Sequence, residues 1–172
     1  MLLHACVWQL FGDVNWAHHL VGICLHLVNG WLVYSLGQKL FKHGFVAGLG
    51  LVVFLLHPLQ VESVVWISEL KNSLSTSFYL LAFHAYLAFT QKATPLSYIL
   101  LMFWFLCALL SKSSAVVLPL MCLSIDLITH RKFRIKQFFY LLPLFGLALL
   151  FGYINIRTQT SDLFINHAHA FP

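Results

Sequence analysis

The chain has little charge and very little acid. Only 9% of its 172 residues are Asp, Glu, Lys or Arg, five are acidic, and 60% are hydrophobic. A soluble domain carries about a quarter charged residues, so the composition excludes that class and predicts an integral membrane protein. The net charge of +5 comes from few cations that fall in loops. Because no basic tract is interleaved with aromatic residues, we expect no nucleic-acid partner.

Motifs for metal, redox and nucleotide chemistry are also missing. The four cysteines show no CxxC spacing, which predicts small buried hydrophobes. There is no HExxH motif, Gly-rich phosphate loop or nucleophile elbow. Bis-histidine haem needs two imidazoles at matching depth, and the depths predicted for His26, His57 and His84 match poorly. Haem binding is therefore the less favoured alternative, and the cofactor stays unknown, a divalent metal being one option.

Long hydrophobic runs dominate the sequence. A spanning helix needs about 20 mostly apolar residues, and the chain contains six candidates. They predict an all-α, polytopic membrane helix bundle, at 17–36, 45–62, 70–90, 96–111, 113–130 and 137–156. The expected organisation is an interfacial or re-entrant segment at 1–16, a six-helix transmembrane domain at 17–156 and an outer-side tail at 157–172.

The distribution of cations predicts the orientation. Cytoplasmic loops of membrane proteins carry an excess of Lys and Arg. Alternate loops here hold seven of the ten cations, namely Lys39, Lys42, Lys92, Arg131, Lys132, Arg134 and Lys136. We therefore expect both termini outside, in the periplasm or the lumen of the endoplasmic reticulum.

One junction between two apolar runs concentrates polar groups, from His57 to Asn72. Ionisable groups at a membrane boundary are costly, so their clustering indicates a functional site on the outer side. Pro58 should distort the end of the second helix and place His57 and Glu62 beside an aqueous cavity. The alternative is a helix-ending proline with solvated neighbours.

Two helix faces extend this polar region. On the first helix, residues recur at three- and four-residue steps and should face the protein interior: His19, Gly22, His26 and Asn29. At the start of the third helix another face holds Glu69, Asn72, Ser73 and Thr76. The alternative role for the first stripe is helix packing through hydrogen bonds and close approach.

Two lysines lie near the outer ends of helices three and four. The ammonium groups of Lys71 and Lys112 are suited to holding the phosphate of a lipid-linked donor. Snorkelling to the interface is the alternative for a lone membrane lysine. Lys112 lies in the turn Ser111–Ser114, whose hydroxyls and following helix N-terminus also favour an anion.

These motifs, in this order, resemble a known family. The segments are "HHLVGICLHLVNGWLVYSL", "FLLHPLQVESVVWISELKNSLST" and "LLSKSSAVVLPLMCLSID". They look like the membrane part of GT-C glycosyltransferases, closest to the transmembrane-and-tetratricopeptide-repeat protein O-mannosyltransferases and their bacterial counterparts. The resemblance covers almost all of this chain but only the middle of such a protein.

The resemblance implies transfer of a sugar, mannose in that family, from a polyprenyl phosphate to a protein Ser or Thr hydroxyl on the outer side. His57 and Glu62 match the family's helix-end motif, Lys71 its short polar motif and Lys112 its Ser-Lys turn. By this resemblance we expect His57 and Glu62 to be catalytic-site residues that shape the acceptor side or a metal site. The implied partners are membrane lipid, the polyprenyl-phosphate sugar and a protein acceptor.

The chain also departs from the family pattern. Leu70 and Asn72 replace the usual Arg and Asp, and Ser113 stands where an acid or Pro is common. The first helix, and the acidic outer loop expected to hold the catalytic base, would lie upstream of Met1. The 172 residues contain no tetratricopeptide repeat. We therefore expect an incomplete glycosyltransferase, with a partner chain as one source of the acidic loop. The rival hypotheses are a catalytically inactive membrane scaffold, a haem-binding subunit and a transporter.

Overall fold

The protein was analysed as a computed structural model that describes residues 8–9, 12, 15–41, 43–58, 60, 66, 69–130 and 135–169. These residues form six α-helices and one 3-10 helix and include no strand. The α-helices are α1 (Asn15–Phe41), α2 (Gly44–Leu56), α3 (Leu70–Gln91), α4 (Pro95–Ser111), α5 (Leu118–His130) and α6 (Ile135–His169), with the 3-10 helix at Ser113–Val117. The predicted all-α membrane helix bundle is confirmed.

Two of the predicted helices differ in extent from the structure. The second was expected at 45–62, but α2 ends at Leu56. The last was expected to end at 156, whereas α6 continues to His169. Two stretches, Trp16–Phe41 and Phe138–Thr158, are long and apolar enough to cross a membrane. Three further apolar helices are shorter: Gly44–Leu56, Pro95–Ser111 and Ser113–Ile128.

The chain divides into two compact units, Met1–Lys112 and Ser113–Pro172. In the first unit α1 packs against both α2 and α3, and α3 packs against α4. The order of helices across the unit is therefore α2, α1, α3, α4. The two central helices run parallel, because hydrogen bonds pair Asn29 with Ser77 and, further along both helices, Ser35 with His84.

Small residues bring α1 and α2 close together. Gly37 of α1 faces Ala47 of α2, and a Cβ at position 37 would lie 3.0 Å from the Cα of Ala47. About two turns earlier in α1, Gly30 faces the side chains of Leu51 and Leu55. Close backbone approach through glycine is a common way for membrane helices to associate, since van der Waals packing replaces the hydrophobic effect there.

The second unit contains the 3-10 helix, α5 and α6, with α6 packed against both of the others. Leu118, Cys122 and Asp126 are buried at four-residue intervals on α5, which is the spacing of a single helix face. Pro119 is tolerated because it is the second residue of α5, where its missing N–H has no intrahelical acceptor.

Candidate functional site

The topology of the first unit gathers four helix ends that carry the predicted polar residues. Because α1 and α3 are parallel and each forms an antiparallel pair with its neighbour in sequence, the beginnings of α1 and α3 lie at the same end as the ends of α2 and α4. We call this the polar end. His57, Glu69 and Lys112, which flank the ends of α2, α3 and α4, lie at the polar end. The opposite, basic end carries Lys39 and Lys92.

At the polar end, α2 stops because of a proline. His57 has an extended backbone (φ −66°, ψ 127°), as expected for a residue that precedes proline, where the helical region is sterically disfavoured. The carbonyl groups of the last turn then lack intrahelical donors. His26 Nε2 lies 3.3 Å from the carbonyl oxygen of Leu55, and its ring stacks on Phe54 with centroids 5.3 Å apart. His26 thus caps the end of α2.

Asn29 joins α1 to α3 in the interior of the unit. Its side chain is only 2% exposed. Its Nδ2 donates to the carbonyl oxygen of Ser73 at 2.9 Å, and its Oδ1 accepts from the Ser77 hydroxyl at 2.7 Å. Ser77 also donates to the Ser73 carbonyl at 3.0 Å. Both polar functions of the Asn29 amide are therefore used in helix packing.

Glu69 and Asn72 form a polar pair at the start of α3. Glu69 is the residue before the helix, and the Asn72 amide nitrogen donates to its carboxylate. The Thr76 hydroxyl donates to the backbone carbonyl of Asn72 at 2.9 Å. Asn72 Oδ1 is buried and has no hydrogen-bond partner among the residues that the structure describes. Three of the four residues of the predicted face, Glu69, Asn72 and Thr76, are therefore connected by hydrogen bonds.

Lys71 and Lys112 are brought to neighbouring positions by the contact between α3 and α4. The Ser75 hydroxyl donates to the carbonyl oxygen of Ala108 at 3.2 Å, which fixes those two residues at the same level. Lys71 precedes Ser75 by one helical turn, and Lys112 follows Ala108 by one turn. Because the two helices are antiparallel, both steps lead toward the polar end. Both lysines are exposed, and the Lys112 N–H closes α4 by donating to the Ala108 carbonyl at 2.9 Å.

Three predicted site residues remain to be placed, namely His19, His57 and Glu62. His19 is half-buried on α1, two turns closer to the helix start than His26. His57 is exposed just beyond α2. Glu62 lies outside the described residues. Within the part of the chain that the structure describes, no group of three or more His, Cys, Asp or Glu side chains has the arrangement of a metal site.

A second polar contact between α1 and α3, near the basic end, is absent from the sequence-based prediction. His84 Nε2 lies 3.1 Å from the Leu32 carbonyl and 2.9 Å from the Ser35 hydroxyl, and the Lys39 ammonium lies 2.9 Å from His84 Nδ1. Since an ammonium only donates, Nδ1 is the acceptor and Nε2 carries the proton. The four-residue spacing of Ser35 and Lys39, which places both on one face of α1, is the signal from which this contact could have been predicted.

Comparison with known proteins gives consistent matches. Residues 2–155 match the sequence profile of a family described as dolichyl-phosphate-mannose-protein mannosyltransferase. The mouse protein O-mannosyl-transferase TMTC1 is 30% identical over 132 residues, which cover 69% of this chain and 14% of the mouse protein. The human TMTC1 is 30% identical over 120 residues (63% of this chain, 14% of that protein). The Drosophila melanogaster Tmtc1 is 30% identical over 105 residues (61% and 12%). No solved structure matches significantly.

Proposed function

The chain belongs to the dolichyl-phosphate-mannose-protein mannosyltransferase family, and from this we propose that it carries the donor-phosphate part of a GT-C mannosyltransferase site. The donor is a polyprenyl-phosphate sugar, and the acceptor is a Ser or Thr hydroxyl of a protein. The polar end faces the outer or lumenal side of a multi-pass membrane protein. The chain spans about one seventh of the length of the mammalian relatives, so the activity of the complete enzyme is part of the proposal.

The neighbouring positions of Lys71 and Lys112 are the observation that carries this function. Lys71 and Lys112 place two exposed ammonium groups at adjacent helix ends, and an anion that binds between them is attracted by both. A phosphate with its alkyl chain in the bilayer supplies the anion. The Ser75 contact with Ala108 holds the two helix ends at a common level, which limits the distance that the flexible lysine side chains must span.

The proposed reaction needs a base on one side of the sugar and cations on the other. The acceptor oxygen forms a bond to the anomeric carbon while the bond from that carbon to the phosphate oxygen breaks. The hydroxyl proton passes to a carboxylate, and Lys71 and Lys112 stabilise the negative charge on the departing phosphate. His57 and Glu62 shape the acceptor side. The carboxylate base comes from an acidic outer loop, on an upstream segment or a partner chain.

A second candidate is a membrane scaffold without catalysis. It is favoured by one observation: His26 and Asn29, both predicted members of the polar stripe, make hydrogen bonds between helices. In that case the polar residues of the first unit stabilise packing, and no ligand binds at the polar end.

Photo-crosslinking to a polyprenyl-phosphate-mannose probe separates the two candidates. The detergent-purified full chain is compared with Lys71→Ala, Lys112→Ala and the double variant. Lys92→Ala is the matched control, since Lys92 is also exposed but lies at the basic end. We expect each single variant to lose most of the labelling and the control to retain it. Equal labelling of wild type and double variant, with all proteins equally helical, contradicts the proposed phosphate site.

A further inference from the structure

A lysine at the basic end is held between two helices. The ammonium of Lys39, on α1, lies 2.9 Å from Nδ1 of His84 on α3. The other ring nitrogen of His84 lies 3.1 Å from the Leu32 carbonyl oxygen and 2.9 Å from the Ser35 hydroxyl. Leu32 and Ser35 both precede Lys39 on α1. The imidazole that accepts from the ammonium therefore lies closer to the middle of α1 than the Lys39 backbone does.

This position differs from that of an ordinary lysine near the end of a membrane helix. Lys39 is the third residue from the end of Trp16–Phe41, a stretch long and apolar enough to cross a membrane. A lysine in such a place usually extends its side chain toward the headgroups and the water beyond them. The contact with His84 draws the ammonium in the opposite direction, back along α1. A lysine that served only to orient the chain in the membrane would need no such acceptor.

The contact leaves the charge of Lys39 uncompensated. Because an ammonium only donates, Nδ1 of His84 accepts with its lone pair and the imidazole is neutral. It takes up one of the three N–H groups of the ammonium, and the Lys39 side chain remains exposed. Among the residues of the first unit that the structure describes, the only acid is Glu69, at the polar end. A positive charge at the edge of the bilayer with no carboxylate beside it attracts an anion.

The surroundings of this charge suit an anion that also has an apolar part. Large apolar side chains are exposed at the basic end, namely Phe41 at the end of α1 (57%), Phe45 at the start of α2 (85%) and Leu96 at the start of α4 (64%). Basic sites between membrane helices bind the headgroups of anionic lipids. An anionic phospholipid combines a phosphate with acyl chains, so it matches both the charge and the apolar surface.

We propose that Lys39 and His84 form a binding site for the headgroup phosphate of an anionic phospholipid. The ammonium donates to the phosphate, and His84 is a positioning residue that holds the ammonium between α1 and α3. A zwitterionic phospholipid fits less well, because its own cationic group is repelled by Lys39 and by the exposed Lys92. The site lies at the opposite end of the unit from Lys71 and Lys112, and the inference does not rest on the proposed function.

Native mass spectrometry of the full chain in detergent measures the binding of single lipid molecules. The delipidated protein is titrated with phosphatidylglycerol or with phosphatidylcholine that has the same acyl chains. Lys39→Ala and Lys92→Ala each remove one positive charge from the basic end. In the part of the chain that the structure describes, no imidazole holds the Lys92 ammonium. Lys92→Ala is therefore the matched control for diffuse attraction by charge.

We expect the wild-type chain to bind phosphatidylglycerol about tenfold more tightly than phosphatidylcholine, the effect of one charge-assisted hydrogen bond. Lys39→Ala should lose this preference and leave the binding of phosphatidylcholine unchanged, whereas Lys92→Ala should change the preference little. Equal losses in the two variants overturn the site in favour of diffuse attraction to the basic end. Equal binding of the two lipids by the wild-type chain overturns it as well.

The positioning role of His84 is tested by two substitutions. His84→Gln keeps a hydrogen-bond acceptor and a donor at this position and should retain most of the preference for phosphatidylglycerol. His84→Leu should lose the preference although Lys39 is still present. A role in helix packing alone would lower the unfolding midpoint of His84→Leu without changing its lipid preference, and that result overturns the positioning role.

Glycerol phosphate distinguishes a lipid from a phosphate compound dissolved in water. It carries the phosphate of the headgroup without acyl chains, so at the same concentration it should not displace phosphatidylglycerol from the wild-type chain. Displacement at equal concentration overturns the assignment of the site to a lipid. Helicity equal to that of the wild-type chain shows that each variant is folded.

Discussion

Replacing Gly37 by alanine should force α1 and α2 apart. A Cβ at this position would lie 3.0 Å from both the Cα and the Cβ of Ala47. The Cα belongs to the backbone of α2, so no side-chain rotation relieves the contact. At Gly30 the nearest atom would be the Cδ2 of Leu55, at 2.7 Å, which is the far end of a flexible side chain. The two substitutions therefore probe the same interface with different expected costs.

Gly48→Ala in α2 isolates the steric term, because a Cβ there would meet nothing within 4 Å. Both Gly37→Ala and Gly48→Ala gain the helix propensity of alanine, about 1 kcal/mol in water. Only Gly37→Ala adds the cost of overpacking, typically about 1 to 3 kcal/mol. The free energy of unfolding of Gly37→Ala should therefore fall below that of Gly48→Ala by about 1 to 3 kcal/mol, the overpacking cost alone.

The assay is reversible unfolding by sodium dodecyl sulfate in mixed micelles, followed by circular dichroism. We expect the midpoint to fall in the order Gly48→Ala, Gly30→Ala, Gly37→Ala, since the leucine side chain absorbs part of the clash at position 30. Equal midpoints for Gly37→Ala and Gly48→Ala would refute the close approach of α1 to α2 at Ala47.

Three further substitutions test other contacts. Asn29→Ala removes two hydrogen bonds between helices, each worth about 0.6 to 1.7 kcal/mol in membrane proteins. In the same micelle assay this variant should lower the unfolding midpoint more than the control variant Asn155→Ala does. His26→Ala leaves the Leu55 carbonyl without its side-chain partner. Amide hydrogen exchange should therefore accelerate in the last turn of α2 and stay unchanged in α4. Unchanged exchange in α2 would argue against the cap. Thr94→Ala removes the side chain that accepts from the Ser97 N–H, which should destabilise α4 by about 0.5 to 2 kcal/mol, whereas Thr94→Ser should restore it.

The helices could be predicted because each one follows from a long apolar run in the local sequence. Apolar runs of membrane length must satisfy their backbone hydrogen bonds internally, so each becomes a helix. The fourth helix was expected to begin at 96, and α4 begins one residue earlier, at Pro95, where the Thr94 side chain accepts from the Ser97 N–H. The expected end of the second helix, at residue 62, was wrong, because the restriction that proline imposes on His57 outweighed the apolar run beyond it.

The alternating serines of α3 show what the periodicity left unresolved. Ser73, Ser75 and Ser77 are all buried, although alternate residues of a helix point to different sides. The reason is tertiary: α3 lies between two helices, so Ser73 and Ser77 meet Asn29 of α1 while Ser75 meets Ala108 of α4. No pattern within the sequence of α3 specifies that it has partners on both sides.

The class of the protein, its helices, its family and the residue types of the candidate site depend on composition, apolar periodicity and ordered motifs, all of which can be read along the chain. The parallel pairing of α1 with α3 and the neighbouring positions of Lys71 and Lys112 became apparent only from the packing of the helices. The same packing places the ends of α2 and α4 and the start of α3 about three helical turns along α1 from its first residue. These relations depend on side chains meeting across distant segments, and no local rule of sequence encodes such meetings.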